Sequence, residues 1–173
     1  KDFVLDMTLK EGSVSNAYYS NTKDEKKAVL LSFMPEIEEY EDSEKEYIFI
    51  ADVSGSMGSS KKIDKMKEAL KRCLKELDEG DRFNIIPFES KFTYYQMESV
   101  PATEENIQDA IQYVDRLHAM GGTEILAPIQ FALYEKSDDK VIIVLTDGQV
   151  GNEDAIVNFV SKNIYNSKLF AIG

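Results

Sequence analysis

The sequence predicts an α/β fold with a doubly wound, mostly parallel central sheet, helices on both faces, and a β-hairpin before it. Two continuous apolar runs, "YIFIAD" at 47–52 and "KVIIVL" at 140–145, are typical of strands covered on both faces. Segments with helical periodicity separate the strand-like runs. This alternation requires right-handed crossovers between parallel strands, which gives a Rossmann-like arrangement.

The first 46 residues follow a different pattern. "KDFVLDMTLK" at 1–10 alternates apolar and polar residues, which predicts a half-buried strand, and "AVLLSF" at 28–33 predicts a second strand. "GSVSNAYYSNTKDEKK" at 12–27 is expected to be a polar connection between them. We therefore expect a β-hairpin within residues 1–34, followed by an acidic linker at 35–46, "PEIEEYEDSEKE".

The middle of the chain supplies one helix and two further strands. "KIDKMKEALKRCLKELDEG" at 62–80 is amphipathic, and Gly80 is expected to end the helix. "RFNIIPFES" at 82–90 reads as a strand in which Pro87 fits only the end or an edge position. "KFTYYQME" at 91–98 alternates, which predicts a short edge strand.

The last third continues the alternation. "TEENIQDAIQYVDRL" predicts a helix with Thr103 as its N-cap, and the glycine turn in "GGTEILAPIQFALYEK" leads into another helix, with Pro128 early in it. "NEDAIVNFVSKN" predicts a helix capped by Asn152, and "KLFAIG" a further strand. No internal repeat is visible.

Composition excludes several classes of protein. The 173 residues are 43% hydrophobic, which is enough for a folded domain. The sequence contains no run of about 18 apolar residues, so it predicts no membrane-spanning helix. The formal net charge of −12 argues against nucleic acid or an anionic membrane as the main partner, because binding phosphates requires clustered Lys and Arg. We expect a monomeric domain that binds another protein.

The most informative stretch is "DVSGSMG", which directly follows the apolar run "YIFIA". It places Asp52, Ser54 and Ser56 at alternate positions, where a tight turn can direct all three side chains to one point. Gly55 and Gly58 are expected to permit that turn because glycine adopts backbone angles that other residues avoid. The alternative is a polar turn whose side chains cap the following helix.

Two more oxygen donors are expected at the same edge of the sheet. Thr123 follows "GG" at the start of a helix, and Asp147 follows the apolar run "VIIVLT". In open parallel sheets the ligand-binding crevice lies outside the carboxyl ends of the strands, so Asp52 and Asp147 should converge there. The sequence thus brings together five candidate oxygen ligands.

These donors favour a hard divalent cation. Oxygen-only sites suit Mg²⁺ first, with Mn²⁺ or Ca²⁺ possible in its place. Two carboxylates neutralise a dication, whereas three hydroxyls add ligands without charge. The metal would stay electrophilic and would keep a coordination position open for another anionic group.

"DVSGSM", "GGTE" and "TDG" together resemble the metal-ion-dependent adhesion site (MIDAS) of a von Willebrand factor type A (vWA) domain. The resemblance implies that Ser54, Ser56 and Thr123 are hydroxyl ligands, and that Asp52 and Asp147 bind the metal directly or through water. It also implies a module without catalytic residues. A Glu or Asp of a partner protein would complete the coordination.

The flanking segments narrow the resemblance. "SFMPEI", "GDRFNIIPF" and "LTDGQVGN" are similar to the subgroup with a preceding VIT (vault/inter-α-trypsin) domain, which includes inter-α-trypsin-inhibitor heavy chains and vault-associated poly(ADP-ribose) polymerase. By this resemblance, residues 1–34 are the tail of a VIT-like domain and residues 47–173 are a vWA domain without its last helix and strand. Members occur inside and outside cells; the single cysteine, Cys73, favours the cytoplasm.

Three other functions are considered. A Mg²⁺-dependent phosphotransferase or phosphohydrolase would need a nucleophilic Asp, a second acid and a Lys; Ser54 stands where that acid is expected, and no Lys directly follows "TDG". A serine hydrolase would need Gly-x-Ser-x-Gly, and the first glycine is misplaced. The third is a structural module whose metal site is vestigial.

Overall fold

The computed structural model describes residues 16–21, 27–32, 44–59, 61–134, 139–148 and 153–173. The chain divides into two compact units, Lys1–Glu41 and Asp42–Gly173. Each unit is described below by itself.

The first unit contains an antiparallel hairpin of β1 (Asn16–Asn21) and β2 (Lys27–Ser32). The prediction of a strand at 28–33 is confirmed to within one residue, but the prediction of a polar connection at 16–21 is wrong. The "AYY" in that segment explains the error, because tyrosine favours the extended backbone of a strand even between polar neighbours. The strand predicted at 1–10 lies outside the described residues.

The second unit is built on a five-stranded sheet in the order β5-β4-β3-β6-β7. The central β3 pairs in parallel with β4 and β6, β7 pairs in parallel with β6, and β5 pairs antiparallel with β4. The predicted mostly parallel sheet is therefore confirmed. The strands are β3 (Glu46–Asp52), β4 (Arg82–Phe88), β5 (Val100–Pro101), β6 (Lys140–Leu145) and β7 (Lys168–Ile172).

Helices cover both faces of this sheet. One face packs Phe49 and Phe83 against the first two helices, and the other packs Ile50 and Ile142 against the last two. Consecutive residues of β3 point to opposite faces of the sheet. Because helices cover both faces, residues on both sides of the strand are apolar. In the part of the chain that the structure describes, no helix combines the length and apolarity needed to cross a bilayer. The helices are α1 (Lys62–Lys75), α2 (Glu104–Arg116), α3 (Leu126–Tyr134) and α4 (Glu153–Asn163).

The helix ends follow the sequence signals only in part. Thr103 caps α2 as predicted, its side chain accepting a hydrogen bond from the Asn106 N–H. By contrast, α1 ends at Lys75 and not near Gly80. The N–H of Asp78 donates to the buried Asp81 carboxylate at 3.0 Å, which takes this donor away from the helical ladder.

The prediction of an edge strand at 91–98 is also wrong. The segment forms a single isolated bridge, between Phe88 and Phe92. The segment runs beside β4, and two of its N–H groups donate to β4 carbonyls at 3.0 and 2.8 Å. At the next position the buried Asn84 side chain takes the place of the backbone. Its amide group donates to the Gln96 carbonyl at 2.7 Å and accepts from the Gln96 N–H at 3.2 Å. Pro87 also lacks an N–H to donate. The short antiparallel strand forms later, at Val100–Pro101.

Replacing Asn84 by alanine should lower the free energy of unfolding by about 1–3 kcal/mol, because it leaves peptide groups beside a buried site without their partner. Chemical denaturation followed by circular dichroism measures this. Asn158→Ala, on the exposed surface of α4, is the matched control and should change stability by less than about 0.5 kcal/mol. Equal effects of the two substitutions would contradict the role assigned to Asn84.

Candidate metal-binding site

Asp52 ends β3 and is fully buried. One carboxylate oxygen accepts the N–H of Ser54 at 2.8 Å, and the other accepts the hydroxyl of Thr146 at 2.7 Å. The second contact follows from the register, because Ala51 pairs with Leu145 in the adjacent strand β6. The carboxylate is thus held in one orientation by the protein alone.

The two serines continue the turn beside Asp52. The Oγ atoms of Ser54 and Ser56 lie 3.0 Å apart, within hydrogen-bonding distance, and Ser54 is buried. Ser56 belongs to a one-turn 3-10 helix, Gly55–Gly58, in which the Met57 N–H donates to the Ser54 carbonyl. The Met57 side chain is buried in the core, so it anchors the turn by packing.

Gly55 is required for a reason that differs from the prediction. Among the described glycines, positive φ angles occur at positions 80, 121 and 148, so neither Gly55 nor Gly58 uses this freedom. The Gly55 N–H donates instead to the Gly121 carbonyl at 3.1 Å, and a Cβ on Gly55 would lie 3.1 Å from that oxygen. Glycine therefore permits the close approach of a second loop.

That second loop carries Thr123, which is exposed. The residues on either side of it are tied to the end of β4: the Gly122 N–H donates to the Ser90 hydroxyl at 2.8 Å, and the Glu124 N–H donates to the Glu89 carbonyl at 2.7 Å. The backbone at Thr123 is thus braced on both sides. The structure shows no hydrogen bond between Thr123 and the two serines.

Asp147 lies two residues after β6, so it follows the strand beside β3. Its Oδ2 accepts a hydrogen bond from the Lys62 ammonium at 3.0 Å, and its side chain is only 10% exposed. Lys62 is the first residue of α1. Asp147 is therefore at the predicted edge of the sheet, with a cation of the protein itself against it.

Four residues that contribute to this edge were missed by the sequence prediction. Thr146, which holds Asp52, stands directly before Asp147, and pairing the two apolar runs in register would have found it. Glu89 and Ser90 follow β4, the other neighbour of β3, and the same argument about strand ends applies to them. The contact of Lys62 with Asp147 joins residues 85 positions apart, and nothing local in the sequence signals it.

The charges at this edge favour a cation. Hydrogen bonds from Ser90 hold the pKa of the Glu89 carboxyl below its usual range, so this exposed group stays ionised near the two aspartate-bearing loops. A Cβ on Gly121, whose φ is +69°, would collide with that carboxylate. Lys62 offsets one of the negative charges.

The donor set fits a hard divalent cation that uses hydroxyl ligands. Across the described residues, no group of three or more His, Cys, Asp or Glu side chains is placed to hold a metal. Asp52 and the hydroxyls of Ser54 and Ser56 offer only oxygen atoms, the ligands preferred by Mg²⁺ and similar ions. If a metal binds here, hydroxyl groups must supply part of its coordination.

The fold is a Rossmann-like α/β sheet with an oxygen-rich cluster at its carboxyl edge, which is the edge where open α/β sheets generally bind ligands. The family model described as "von Willebrand factor type A domain" matches residues 45–173. The chain therefore belongs to this family, whose domains are generally protein-interaction modules. This agrees with the family that the motifs resemble.

Three relatives illustrate the similarity. The chain is 36% identical over 157 residues to a von Willebrand factor A domain-containing protein of Dictyostelium discoideum, covering 87% of this chain and 17% of that protein. It is 35% identical to von Willebrand factor A domain-containing protein 5A of Rattus norvegicus, and the match covers 83% of this chain and 19% of that protein. It is 39% identical to inter alpha-trypsin inhibitor, heavy chain 4 of Mus musculus, and the match covers 75% of this chain and 15% of that protein. The chain thus spans less than a fifth of each relative.

Solved structures support the fold. A von Willebrand factor type A protein from Catenulispora acidiphila matches with a TM-score of 0.65 at 22% identity, covering 92% of this chain and 36% of that one. A second match is proximal thread matrix protein 1 from the mussel byssus, described as having a zinc-occupied MIDAS motif. Its TM-score is 0.58 at 19% identity, and the match covers 76% of this chain and 36% of that one. At these identities the likeness concerns the fold alone.

Thr146→Val should lower the free energy of unfolding by about 2 kcal/mol in the presence of EDTA, because a buried carboxylate loses a hydroxyl donor. Urea denaturation measures the loss. Thr93→Val, at an exposed position outside the site, is the matched control and should change stability by less than about 0.5 kcal/mol. If Thr146→Val were as stable as the control, the hydroxyl would not hold Asp52.

Proposed function

We propose that this chain is a metal-dependent protein-interaction module. In this proposal Mg²⁺ is bound by Asp52, Ser54, Ser56, Thr123 and Asp147, directly or through water, and Mn²⁺ or Ca²⁺ can replace it. The main support is the buried Asp52 carboxylate, fixed beside two hydroxyl oxygens 3.0 Å apart. Ca²⁺ suits the site less well, because it prefers about 6–8 oxygens in a looser cage.

The chain's own residues prepare the site. Thr146 and the Ser54 N–H orient Asp52, and the Gly55 contact with Gly121 holds the loop of Thr123 close to the serine turn. A divalent ion would supply a strong local positive charge here. Since the hydroxyl ligands are neutral, that charge is incompletely neutralised and can attract one more anionic group.

The proposed partner presents a Glu or Asp side chain to the metal. The chain has a net charge of −12, so its long-range field repels acidic partners, with screening over about 8 Å at physiological salt. At this edge a bound divalent cation would give such a carboxylate a strong local contact. The same net charge opposes nucleic acid as a partner.

The phosphotransferase alternative has weaker support. Lys62 does supply a cation beside Asp147 that the sequence did not predict. However, the strand-end Asp52 is fully buried and both of its oxygens accept hydrogen bonds, which suits a ligand or a positioning group better than an exposed nucleophile. We therefore propose binding without catalysis.

We also propose a domain division of the chain: a VIT-like tail at 1–34, an acidic linker at 35–46 and the vWA domain at 47–173. The support is the resemblance of the flanking segments and the similarity to inter alpha-trypsin inhibitor, heavy chain 4. Because the chain spans so little of its relatives, the partners of the whole protein belong to this proposal as well.

Calorimetric titration with Mg²⁺ tests the metal site. The wild-type chain should bind one ion, whereas Thr123→Ala and Asp147→Ala should weaken binding at least tenfold through loss of a ligand. The controls are Thr93→Ala and Asp115→Ala; the latter removes an ion-paired aspartate elsewhere on the surface, beside Lys71. In EDTA all variants should stay folded, with stability changes below about 1 kcal/mol. No heat with any divalent ion, and no shift in melting temperature, would refute the site.

A pull-down with the immobilised chain tests the partner. Binding should require Mg²⁺, be reversed by EDTA and not weaken with added salt, because screening reduces repulsion between two acidic proteins. Changing one essential acidic residue of the partner to its amide should remove most of the affinity. Equal binding in EDTA, or a partner in which no single acidic residue matters, would place the interaction on another face.

A further inference from the structure

The ion pair of Lys62 with Asp147 joins the start of α1 to the loop after β6. The ammonium nitrogen lies 3.0 Å from Oδ2 of Asp147, with the lysine side chain 39% exposed and the aspartate 10% exposed. Asp147 follows Thr146, whose hydroxyl donates to Asp52. A positive charge of the protein therefore lies against one of the two carboxylates proposed to bind the metal.

The start of α1 follows the usual preferences of a helix N-terminus only in part, since Asp64 in its first turn is favourable but Lys62 is not. Positive side chains are disfavoured there, because the first turn already carries a partial positive charge from free N–H groups. The preceding Lys61 has a φ of 59° and makes no side-chain cap. Left-handed backbone is costly for a residue with a side chain, and such departures concentrate at functional sites. The contact with Asp147 gives this placement of Lys62 a physical reason.

We infer that Lys62 is an internal cation that holds Asp147 in the metal-free protein and limits the affinity of the site for divalent ions. The inference rests on the proposed metal site and adds the residue that sets its strength. Asp147 cannot give its full charge to both cations, and an ammonium group near a dication adds repulsion. Metal binding must therefore work against an existing ion pair. The site should therefore bind a divalent ion only weakly when no partner is present. A carboxylate of the partner would add the negative charge that Lys62 offsets.

The decisive experiment is a titration of the whole chain with Mn²⁺, with the free ion followed by electron paramagnetic resonance. Lys62→Gln should bind Mn²⁺ about tenfold more tightly than the wild type, the order expected when one nearby charge is removed from a partly exposed site. Lys65→Gln is the matched control. Lys65 is exposed on the same helix and lines the same cleft as Lys62 and Asp147. Lys65→Gln removes one positive charge, as Lys62→Gln does, so the two variants have the same net charge. Its affinity should stay within about twofold of the wild type.

A second measurement needs no metal. In EDTA, Asp147→Asn should lower the melting temperature more in the wild-type background than in the Lys62→Gln background, because only the wild type has the ion pair to lose. If Asp147→Asn has the same effect in both backgrounds, the pair does not hold Asp147 in solution and the inference is wrong.

The outcomes separate the two claims. Tighter binding by Lys62→Gln alone, with the coupling in EDTA, supports the inference. Equal affinities in the wild type and both lysine variants overturn the role of Lys62 and leave the metal site standing. Equal tightening by both variants reduces the effect to net charge and also overturns it. No Mn²⁺ binding by any of the three proteins overturns the metal site and the inference together.

Discussion

The parallel pairing of β3 with β6 is the contact on which the candidate site depends. Its register places Ala51 opposite Leu145, so that Asp52 and Thr146 leave the sheet side by side and form a hydrogen bond of 2.7 Å. A shift by one residue would send each side chain to the opposite face, would disturb the packing of both layers and would separate Asp52 from Thr146. The packing of the core and the position of the site are thus fixed by the same pairing.

Burial on both faces of the sheet confines polar chemistry to its edge. Side chains of β3 and its neighbours fill two apolar layers, so a polar group within a strand needs its own partner, as the buried Asn84 of β4 does, and the larger polar cluster lies at the strand ends. The turn after β3 combines both requirements, because Met57 enters the core while Ser54 and Ser56 stay at the edge. Packing of Met57 in the core thereby anchors the turn that carries the two serine hydroxyls before it.

The polar groups of this edge are hydrogen-bonded to the protein itself. Among the described residues, no buried side-chain nitrogen or oxygen lacks a partner. The buried part of the site, Asp52 with Ser54, is therefore ordered without a metal, so it has little conformational freedom to lose when a ligand binds. The same bonds compete with a ligand, most clearly where Lys62 contacts Asp147. Order and competition arise from the same contacts, and together they are expected to give selective, reversible binding.

The amino-acid sequence alone predicts the α/β class, the central strands and the edge of the sheet that carries the polar residues, since hydrophobic periodicity reports how many faces of a strand are covered. It also gave Thr103 as a helix cap, because a cap depends on neighbouring residues alone. It did not give the true end of α1, the strand at 16–21, or the irregular path of 91–98. Those depend on single side chains such as Asp81 and Asn84 or on strand partners.

The way the site is held depends on contacts that form only when distant segments of the chain come together. The hydroxyl of Thr146 on Asp52, the loop braced by Ser90, and the ammonium of Lys62 on Asp147 all join segments far apart in the chain. The sequence named candidate oxygen donors because residue type fixes which atoms can bind a cation. It could not name their partners, since these hydrogen bonds depend on the register of the strands and on the crossing of loops, which local patterns do not encode.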